Sequence, residues 1–171
     1  DYECVGDYGY MPKLNTANPE VQSYIYNVMA FWLNEYHIDG WRLDVADEID
    51  PSLWARIRYR IKSAYPDCLL LGETWGDGFS LLDGKSVDSI MNYVFRDSVR
   101  DFFARGSIDA KMFNHRICQM RSHYPEEIRQ ALFQPLDSHD TERFLWNCKG
   151  DIRRLKLAAL FQMCFPGAPS I

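Results

Sequence analysis

The sequence lacks the patterns typical of membrane, nucleic-acid-binding and zinc-binding proteins. Its 171 residues contain no apolar run close to the roughly 18 residues that a transmembrane helix needs. The formal net charge of −5 argues against nucleic acid or an anionic membrane as a partner. The five cysteines include no close pair, which excludes a clustered zinc motif and gives no disulfide framework. We therefore predict no metal site in these residues and a reducing, cytoplasmic compartment.

Strand-like and helix-like segments alternate along the chain. Asn18-Pro19 and Asp50-Pro51 each combine an N-cap with a first-turn proline, which predicts helices that end near His37 and before Pro66. Apolar positions at helical spacing predict the buried faces of these two helices: Val21, Tyr24, Ile25, Val28, Met29, Trp32 and Leu33 in the first, and Leu53, Trp54, Ile57 and Ile61 in the second. Further helices are predicted over 94–105, 109–122 and 152–165. Strands are predicted over 41–43, 69–71, 87–93 and 131–136, and a fifth begins in 167–171.

This order of elements predicts right-handed βαβ units and an α/β fold with a parallel sheet. Two architectures fit, an open doubly wound sheet and a (β/α)₈ TIM barrel. The open sheet usually carries a glycine-rich phosphate loop, and neither a GxGxxG nor a P-loop motif is present. A full barrel needs about 250 residues, so we expect a piece of a barrel that begins partway through a longer protein. Residues 1–18 read as a loop, and we see no internal domain boundary.

Three carboxylates lie at or just past the ends of predicted strands: Asp44, Glu73 and Asp140. Each alone could be a helix cap, a turn residue or an ion-pair partner. Closure of a barrel would bring all three strand ends to one mouth, where active sites lie. Arg42 and His139 stand beside two of them, and side-chain alternation along a strand puts Arg42 and Asp44 on the same face. The joint pattern predicts a catalytic site.

Converging carboxylates without metal-ligand spacing suit cleavage of an acetal, the glycosidic bond. One carboxylate must be ionised to attack the anomeric carbon, and the other must be protonated to assist the leaving oxygen. Arg42 favours the ionised form of Asp44. Glu73 follows an apolar strand and precedes Trp75, surroundings that favour a neutral carboxyl group. We therefore predict Asp44 as the nucleophile and Glu73 as the general acid/base, provided that they lie roughly 5 Å apart.

Three segments resemble signature regions of the α-amylase family, glycoside hydrolase family 13, and occur in the family's order. They are residues 40–48 (GWRLDVADE), 71–75 (LGETW) and 136–143 (LDSHDTER). Residues 11–15 (MPKLN) are similar to an extra motif that marks the neopullulanase, cyclomaltodextrinase and maltogenic amylase branch. Two features depart from the family pattern. Its first signature region, Asp-x-x-x-Asn-His, is absent, and Gly76 stands where this branch often has a histidine.

The resemblance implies a role for each matching residue. Asp44 would be the nucleophile, Glu73 the general acid/base and Asp140 the stabiliser that grips hydroxyls of the distorted sugar. Arg42 would orient Asp44, and His139 would bond hydroxyls of the sugar that is cleaved. Asp47 and Glu48 would lie toward the leaving-group side. Trp75 would either stack on a sugar there or belong to the core.

The resemblance also implies that the chain runs from before barrel strand 4 to the start of strand 8, with residues 1–18 as the end of an inserted loop domain. The parent would be a retaining glycoside hydrolase acting on α-glucosidic bonds of maltooligosaccharides, cyclodextrins, pullulan or starch. Two alternatives stay open. One is an α-glucan transglycosylase of the same family. The other is an inactive barrel used for binding or structure, which the presence of all three carboxylates disfavours.

The expected partner is an α-glucan oligosaccharide. Calcium stays open for the full-length protein, because the family's metal sites use residues upstream of Asp1. We allow for a homodimeric parent. The isolated chain should be inactive and should self-associate through open sheet edges and an uncovered core face.

Overall fold

The computed structural model describes residues 2–6 and 8–170. Asp1 and Asp7 of the predicted N-terminal loop, and Ile171 of the predicted fifth strand, lie outside the described residues. Two compact units are present, Asp1–Glu73 with Ser80–Asp88, and Thr74–Phe79 with Ser89–Ile171. The prediction that no domain boundary divides the chain stays a prediction. Among the described helices, none has the length and apolar character to cross a membrane.

The first unit contains a parallel βαβ arrangement. Its elements are α1 (Pro19–Tyr36), β1 (Gly40–Leu43), α2 (Pro51–Ala64) and β2 (Leu69–Gly72). Strands β1 and β2 pair in parallel from Gly40 opposite Leu69 to Leu43 opposite Gly72. A Cβ atom at Gly40 would lie 2.4 Å from the Leu69 carbonyl oxygen, so the close approach of the two strands requires glycine there.

Both predicted helix starts are confirmed. The Asn18 side chain accepts the Glu20 N–H at 2.8 Å, and the Asp50 side chain accepts the Ser52 N–H at the same distance. His37 ends α1 in the left-handed conformation, with φ of 50°. The structure thus satisfies free backbone donors at each N-terminus as the sequence indicates.

The apolar face predicted for α2 is buried in the structure, whereas the one predicted for α1 is buried only in part. All four predicted positions of α2 are buried: Leu53, Trp54, Ile57 and Ile61. In α1 only Met29 and Leu33 are buried, whereas Tyr24 and Trp32 are exposed. The expectation that the whole α1 face packs on a sheet is therefore wrong for this unit. Here α1 packs mainly on the single helix α2, which covers a narrower stripe than a sheet would.

The second unit continues the alternation of helices and strands. Its elements are β3 (Ser89–Ile90), α3 (Tyr93–Val99), a π-helical segment (Arg100–Arg105), α4 (Ala110–His123), α5 (Glu126–Ala131), β4 (Phe133–Pro135), α6 (Phe144–Asn147), α7 (Ile152–Cys164) and β5 (Ala168–Ser170). Strands β4 and β5 pair in parallel with Phe133 opposite Ala168. Met91 forms a parallel bridge to Phe133. The predicted α/β class with parallel strands is confirmed.

Two predicted strands are shorter in the structure. The strand expected over 87–93 covers only Ser89–Ile90, because the Asn92 side chain accepts the Phe95 N–H at 3.0 Å and starts helix α3. The strand expected over 131–136 covers Phe133–Pro135, because the residues before it form helix α5. Pro125 followed by two glutamates is the signal for that helix.

The core of the second unit is rich in phenylalanine. The Phe161 ring on α7 lies 5.2–6.0 Å, centroid to centroid, from four others, those of Phe95, Phe103, Phe113 and Phe165. Such distances are typical of favourable aromatic pairs. The five phenylalanines of this cluster are therefore structural.

Candidate active site

Arg42 on β1 forms ion pairs with two carboxylates of the first unit. Its Nη1 donates to Asp44 Oδ1, and its Nη2 lies 3.6 Å from Glu73 Oε1. Asp44 follows Arg42 by two residues, so strand alternation accounts for their common side. Glu73 directly follows β2, the parallel neighbour of β1. Parallel pairing therefore brings the two strand ends, and both acids, to one guanidinium group.

The two carboxylates have opposite environments. The Asp44 side chain is 70% exposed, whereas that of Glu73 is 3% exposed. A solvated carboxylate beside a cation and a buried carboxyl group are the kind of pair that divides nucleophile and acid roles between two acids. The geometry of the first unit is thus compatible with the roles predicted from the sequence.

A backbone turn after Asp44 fixes Glu73. Val45 has φ of 44° and ψ of 48°, in the left-handed region, and its N–H donates to Glu73 Oε2 at 2.7 Å. The Ala46 N–H donates to the Glu73 backbone oxygen at 2.8 Å, and the Glu73 N–H donates to the Leu43 oxygen at 2.8 Å. Three backbone donors thus connect the ends of β1 and β2.

The predicted leaving-group residues Asp47 and Glu48 lie in a short 3₁₀ turn, Ala46–Glu48, and both are exposed. Glu48 Oε2 accepts the Gly6 N–H at 2.8 Å and lies 3.2 Å from Lys13 Nζ. The Gly6 N–H, followed by Lys13, holds the pKa of Glu48 below its ordinary value. In this structure the Glu48 carboxylate binds the N-terminal loop, and its role toward a sugar stays a prediction.

His139 and Asp140 lie on a hydrogen-bonded turn of the second unit, just after β4. Asp137 accepts the Phe144 N–H at 2.6 Å, and the Ser138 N–H donates to Thr141 Oγ1 at 2.9 Å. His139 Nε2 lies 3.0 Å from Asp140 Oδ2. Both side chains are accessible to solvent, so they can meet a ligand.

Trp75 stacks on a buried tyrosine of the same unit. Its ring centroid is 4.3 Å from that of Tyr93, and the ring planes differ by 6°. The Tyr93 hydroxyl lies 2.9 Å from Ser138 Oγ, and Ser138 Oγ also accepts the Asp140 N–H at 3.3 Å. About half of Trp75 remains exposed, so it takes part in packing and also presents a surface.

Sequence reasoning missed three residues that support these groups: Val45, Tyr93 and Ser138. A β-branched residue gives no signal for a left-handed backbone, and Tyr93 falls where a strand is predicted. Only Ser138 had a possible signal, since serine often bonds backbone groups in turns. Within residues 2–6 and 8–170, no group of three or more His, Cys, Asp or Glu side chains is arranged to hold a metal ion.

Comparison with protein families gives a match over residues 2–171 to the model of the α-amylase catalytic domain. The chain is 50% identical over 161 residues to neopullulanase 2 of Thermoactinomyces vulgaris. The aligned region covers 94% of this chain and 27% of the relative. The chain is also 43% identical over 171 residues to a cyclomaltodextrinase of Geobacillus thermopakistaniensis (strain MAS1), covering 100% of the chain and 29% of the relative.

An intracellular maltogenic amylase of Bacillus subtilis (strain 168) is 38% identical over 161 residues, which cover 94% of the chain and 27% of that relative. The chain thus spans less than a third of the length of these curated relatives.

Comparison with solved structures also gives matches to part of larger enzymes. A cyclomaltodextrinase superposes with a TM-score of 0.95 at 40% identity, over 99% of this chain and 29% of the other. A cyclic α-maltosyl-(1→6)-maltose hydrolase from Arthrobacter globiformis, in complex with maltose, superposes with a TM-score of 0.93 at 32% identity, over 99% of this chain and 39% of the other. The fold described above corresponds to part of such a catalytic domain.

Proposed function

The chain belongs to the family of α-amylase catalytic domains, and on this premise we propose that its parent protein is a retaining glycoside hydrolase of α-glucans. Its substrates are maltooligosaccharides, cyclodextrins, pullulan or starch. In this proposal β1 to β5 are strands 4 to 8 of a (β/α)₈ barrel. Relatives named neopullulanase and cyclomaltodextrinase support the substrate class.

The first chemical step forms a covalent glycosyl-enzyme. A carboxylate oxygen of Asp44 attacks the anomeric carbon while Glu73 gives its proton to the glycosidic oxygen, and the bond between that carbon and oxygen breaks. Arg42 orients Asp44 through the hydrogen bond from its Nη1. Asp140 and His139 bind hydroxyl groups of the sugar that is being cleaved.

The second step releases the sugar. Glu73, now a carboxylate, accepts a proton from water, whose oxygen attacks the anomeric carbon and displaces Asp44. Two inversions at the same carbon give net retention of the α-configuration. If a sugar hydroxyl takes the place of water, the same step is transglycosylation.

The observation that carries this proposal is the position of Arg42 between an exposed aspartate and a buried glutamate. A retaining mechanism needs two carboxyl groups close together in unlike environments. The shared guanidinium group brings the two acids together, and burial of Glu73 distinguishes it from the exposed Asp44. An inactive binding module would have no need to keep a buried acid beside an exposed one, because buried charge is costly.

A cytoplasmic location forms part of the proposal. The sequence has five cysteines without a close pair, a pattern that favours a reducing compartment over a disulfide framework. The relative from Bacillus subtilis that is named intracellular supports the same location.

The test is the product profile of the full-length parent on γ-cyclodextrin, pullulan and soluble starch, with the anomeric configuration followed by NMR. We expect hydrolysis with an α-anomeric product, and Glu73→Gln should reduce kcat by a factor on the order of 10³ or more. Glu127→Gln, an exposed glutamate on α5, is the matched control and should behave as wild type.

Each outcome of that test is decisive. Turnover of starch alone would keep the mechanism and discard the likeness in substrates to the neopullulanase and cyclomaltodextrinase branch. Inactivity of the wild type on all three substrates would favour the inactive barrel, and near-wild-type activity of Glu73→Gln would disprove the catalytic assignment.

A further inference from the structure

Val45 has a backbone conformation that is energetically unfavourable for its branched side chain. Its φ of 44° lies in the left-handed region, which costs L-residues energy and is most unusual for β-branched ones. The other positive-φ residues besides glycine in the described chain are His37 and Lys149. Val45 alone among these three is β-branched. Strained backbone of this kind is retained where the surrounding structure imposes it, often at functional sites.

The neighbouring contacts hold the turn in place. Ala46 is fully buried, its carbonyl accepts the Trp54 indole N–H at 2.8 Å, and its own N–H bonds the backbone oxygen of Glu73. The strained residue is thus held between two anchored strand ends. Its conformation directs one group in particular, the Val45 N–H, at Glu73 Oε2.

We propose that the Val45 amide is a positioning group that reserves Glu73 Oε2 as a hydrogen-bond acceptor, so that Oε1 is the oxygen that gives and takes the catalytic proton. An oxygen that carries a proton is a weaker acceptor than a carbonyl-like oxygen. Of the two protonated forms of Glu73, the one with the proton on Oε1 therefore keeps the stronger bond from Val45. This inference rests on the proposed role of Glu73 as general acid/base.

The surroundings of Oε1 agree with this assignment. Arg42 Nη2 lies 3.6 Å from Oε1, which is longer than a hydrogen bond. Arg42 also donates through Nη1 to Asp44. Within residues 2–6 and 8–170, Oε1 thus lies near a guanidinium group but beyond hydrogen-bond distance from it, and this leaves the oxygen able to exchange a proton with a substrate.

The direct test removes the N–H alone. Replacing Val45 with α-hydroxyisovalerate in the full-length parent turns this amide into an ester and keeps the side chain. Cleavage of maltooligosaccharides depends on protonation of the leaving sugar oxygen, because an unprotonated sugar oxygen is a poor leaving group. Fluoride is a good leaving group, so cleavage of α-maltosyl fluoride depends little on a general acid. We expect kcat/KM to fall on the order of 10-fold or more for maltoheptaose, and less than about 3-fold for the fluoride, since general acid catalysis is the part affected.

The chain offers a matched control one residue away. Lactate in place of Ala46 removes the N–H that bonds the backbone oxygen of Glu73 rather than its carboxyl group. A purely structural role predicts equal losses on both substrates in both ester variants, and that result, or no loss at position 45, would overturn the proposal. Activity of Glu73→Gln on maltoheptaose would disprove the proposed function itself, so the two failures are distinguishable.

A second measurement needs no variant and covers the case in which an ester prevents folding. Neutron diffraction from deuterated crystals of the full-length parent, at acidic pH, locates the carboxyl deuteron of Glu73. Density on Oε1 with a deuteron between Val45 N and Oε2 is the expected result. Density on Oε2 would overturn the proposal.

Discussion

Tyr93 lies flat against Trp75, with ring centroids 4.3 Å apart and planes within 6° of parallel. Tyr93 is buried, whereas the Trp75 ring is about half exposed. The hydroxyl of Tyr93 also bonds Ser138 in the turn that carries Asp140. One buried side chain therefore supports both an exposed aromatic face and the turn of a proposed catalytic residue.

We expect Trp75→Ala to weaken substrate binding more than chemistry. A flat exposed ring can stack on a sugar, and we expect this contact to contribute about as much as an aromatic pair, roughly 0.5–1.5 kcal/mol. KM for maltooligosaccharides should rise about 2- to 10-fold, with a smaller change in kcat. Steady-state kinetics of the full-length parent on maltotriose and maltoheptaose measure both constants.

Tyr93→Phe is the matched variant for this prediction. It keeps a ring against Trp75 and removes the bond to Ser138, so KM should stay near wild type while kcat falls as the turn of Asp140 loosens. The opposite division, with KM altered by Tyr93→Phe and unchanged by Trp75→Ala, would show that the exposed ring does not contact substrate.

Asp88 connects α2 and β2 within the first unit. It accepts Arg58 Nη1 at 2.6 Å and the Leu70 N–H at 2.9 Å, and it lies 2.8 Å from Lys62 Nζ. Burial alone raises the pKa of Asp88, but the bonds from Lys62, Leu70 and Arg58 outweigh it and leave the pKa below its ordinary value. A carboxyl group with a lower pKa in the folded state stabilises the fold above its unfolded pKa of about 3.9.

Asp88→Asn should therefore lower the free energy of unfolding at pH 7 by about 2 kcal/mol, since hydrogen bonds to a charged group are lost. The difference from wild type should shrink as the pH falls through the folded-state pKa of Asp88, because wild type then loses the same contribution. Hydrogen exchange of the Leu70 amide, measured against pH in the full-length parent, gives this difference in stability at the site of the substitution. A difference that is constant with pH would contradict the assignment.

The sequence predicted correctly the features that depend on residues close together in the chain. Asn18 and Asp50 cap their helices as predicted, because a cap depends on residues two or three positions away. The buried face of α2 follows from its apolar spacing for the same reason. Arg42 and Asp44 share a face because strand alternation is a property of the backbone.

Non-local effects account for what was missed. The left-handed turn at Val45 is imposed by bonds to Glu73, which is 28 residues away. The residues next to Val45 in the sequence do not indicate such a turn. The exposure of Tyr24 and Trp32 depends on which surfaces face α1, and an apolar pattern indicates that a face can be buried without indicating what covers it. The role of Tyr93 likewise depends on contacts with distant Trp75 and Ser138.

Gln162 is a fully buried amide on α7 that binds both strands beside it. Its Nε2 donates to the backbone oxygens of Gln134 on β4 and Ser170 on β5, each at 2.7 Å. Gln162→Leu should destabilise the second unit by about 1–3 kcal/mol, because buried carbonyls lose a donor. Thermal unfolding and hydrogen exchange of β5 in the full-length parent measure the effect. Met163→Leu, exposed on the same helix, should match wild type, and an equal loss in both variants would contradict this role.

The isolated chain should self-associate, because apolar side chains are exposed along α7. Leu157, Leu160 and Met163 are each more than half exposed, and contiguous apolar surface of this kind favours association. In light scattering coupled to size-exclusion chromatography, the isolated chain should elute above its monomer mass of 20.0 kDa. Leu157→Glu with Leu160→Glu should shift it toward monomer, whereas Lys156→Glu, a charge change at an exposed polar position of the same helix, should not. A monodisperse monomer with cooperative thermal unfolding would show that this face needs no covering surface.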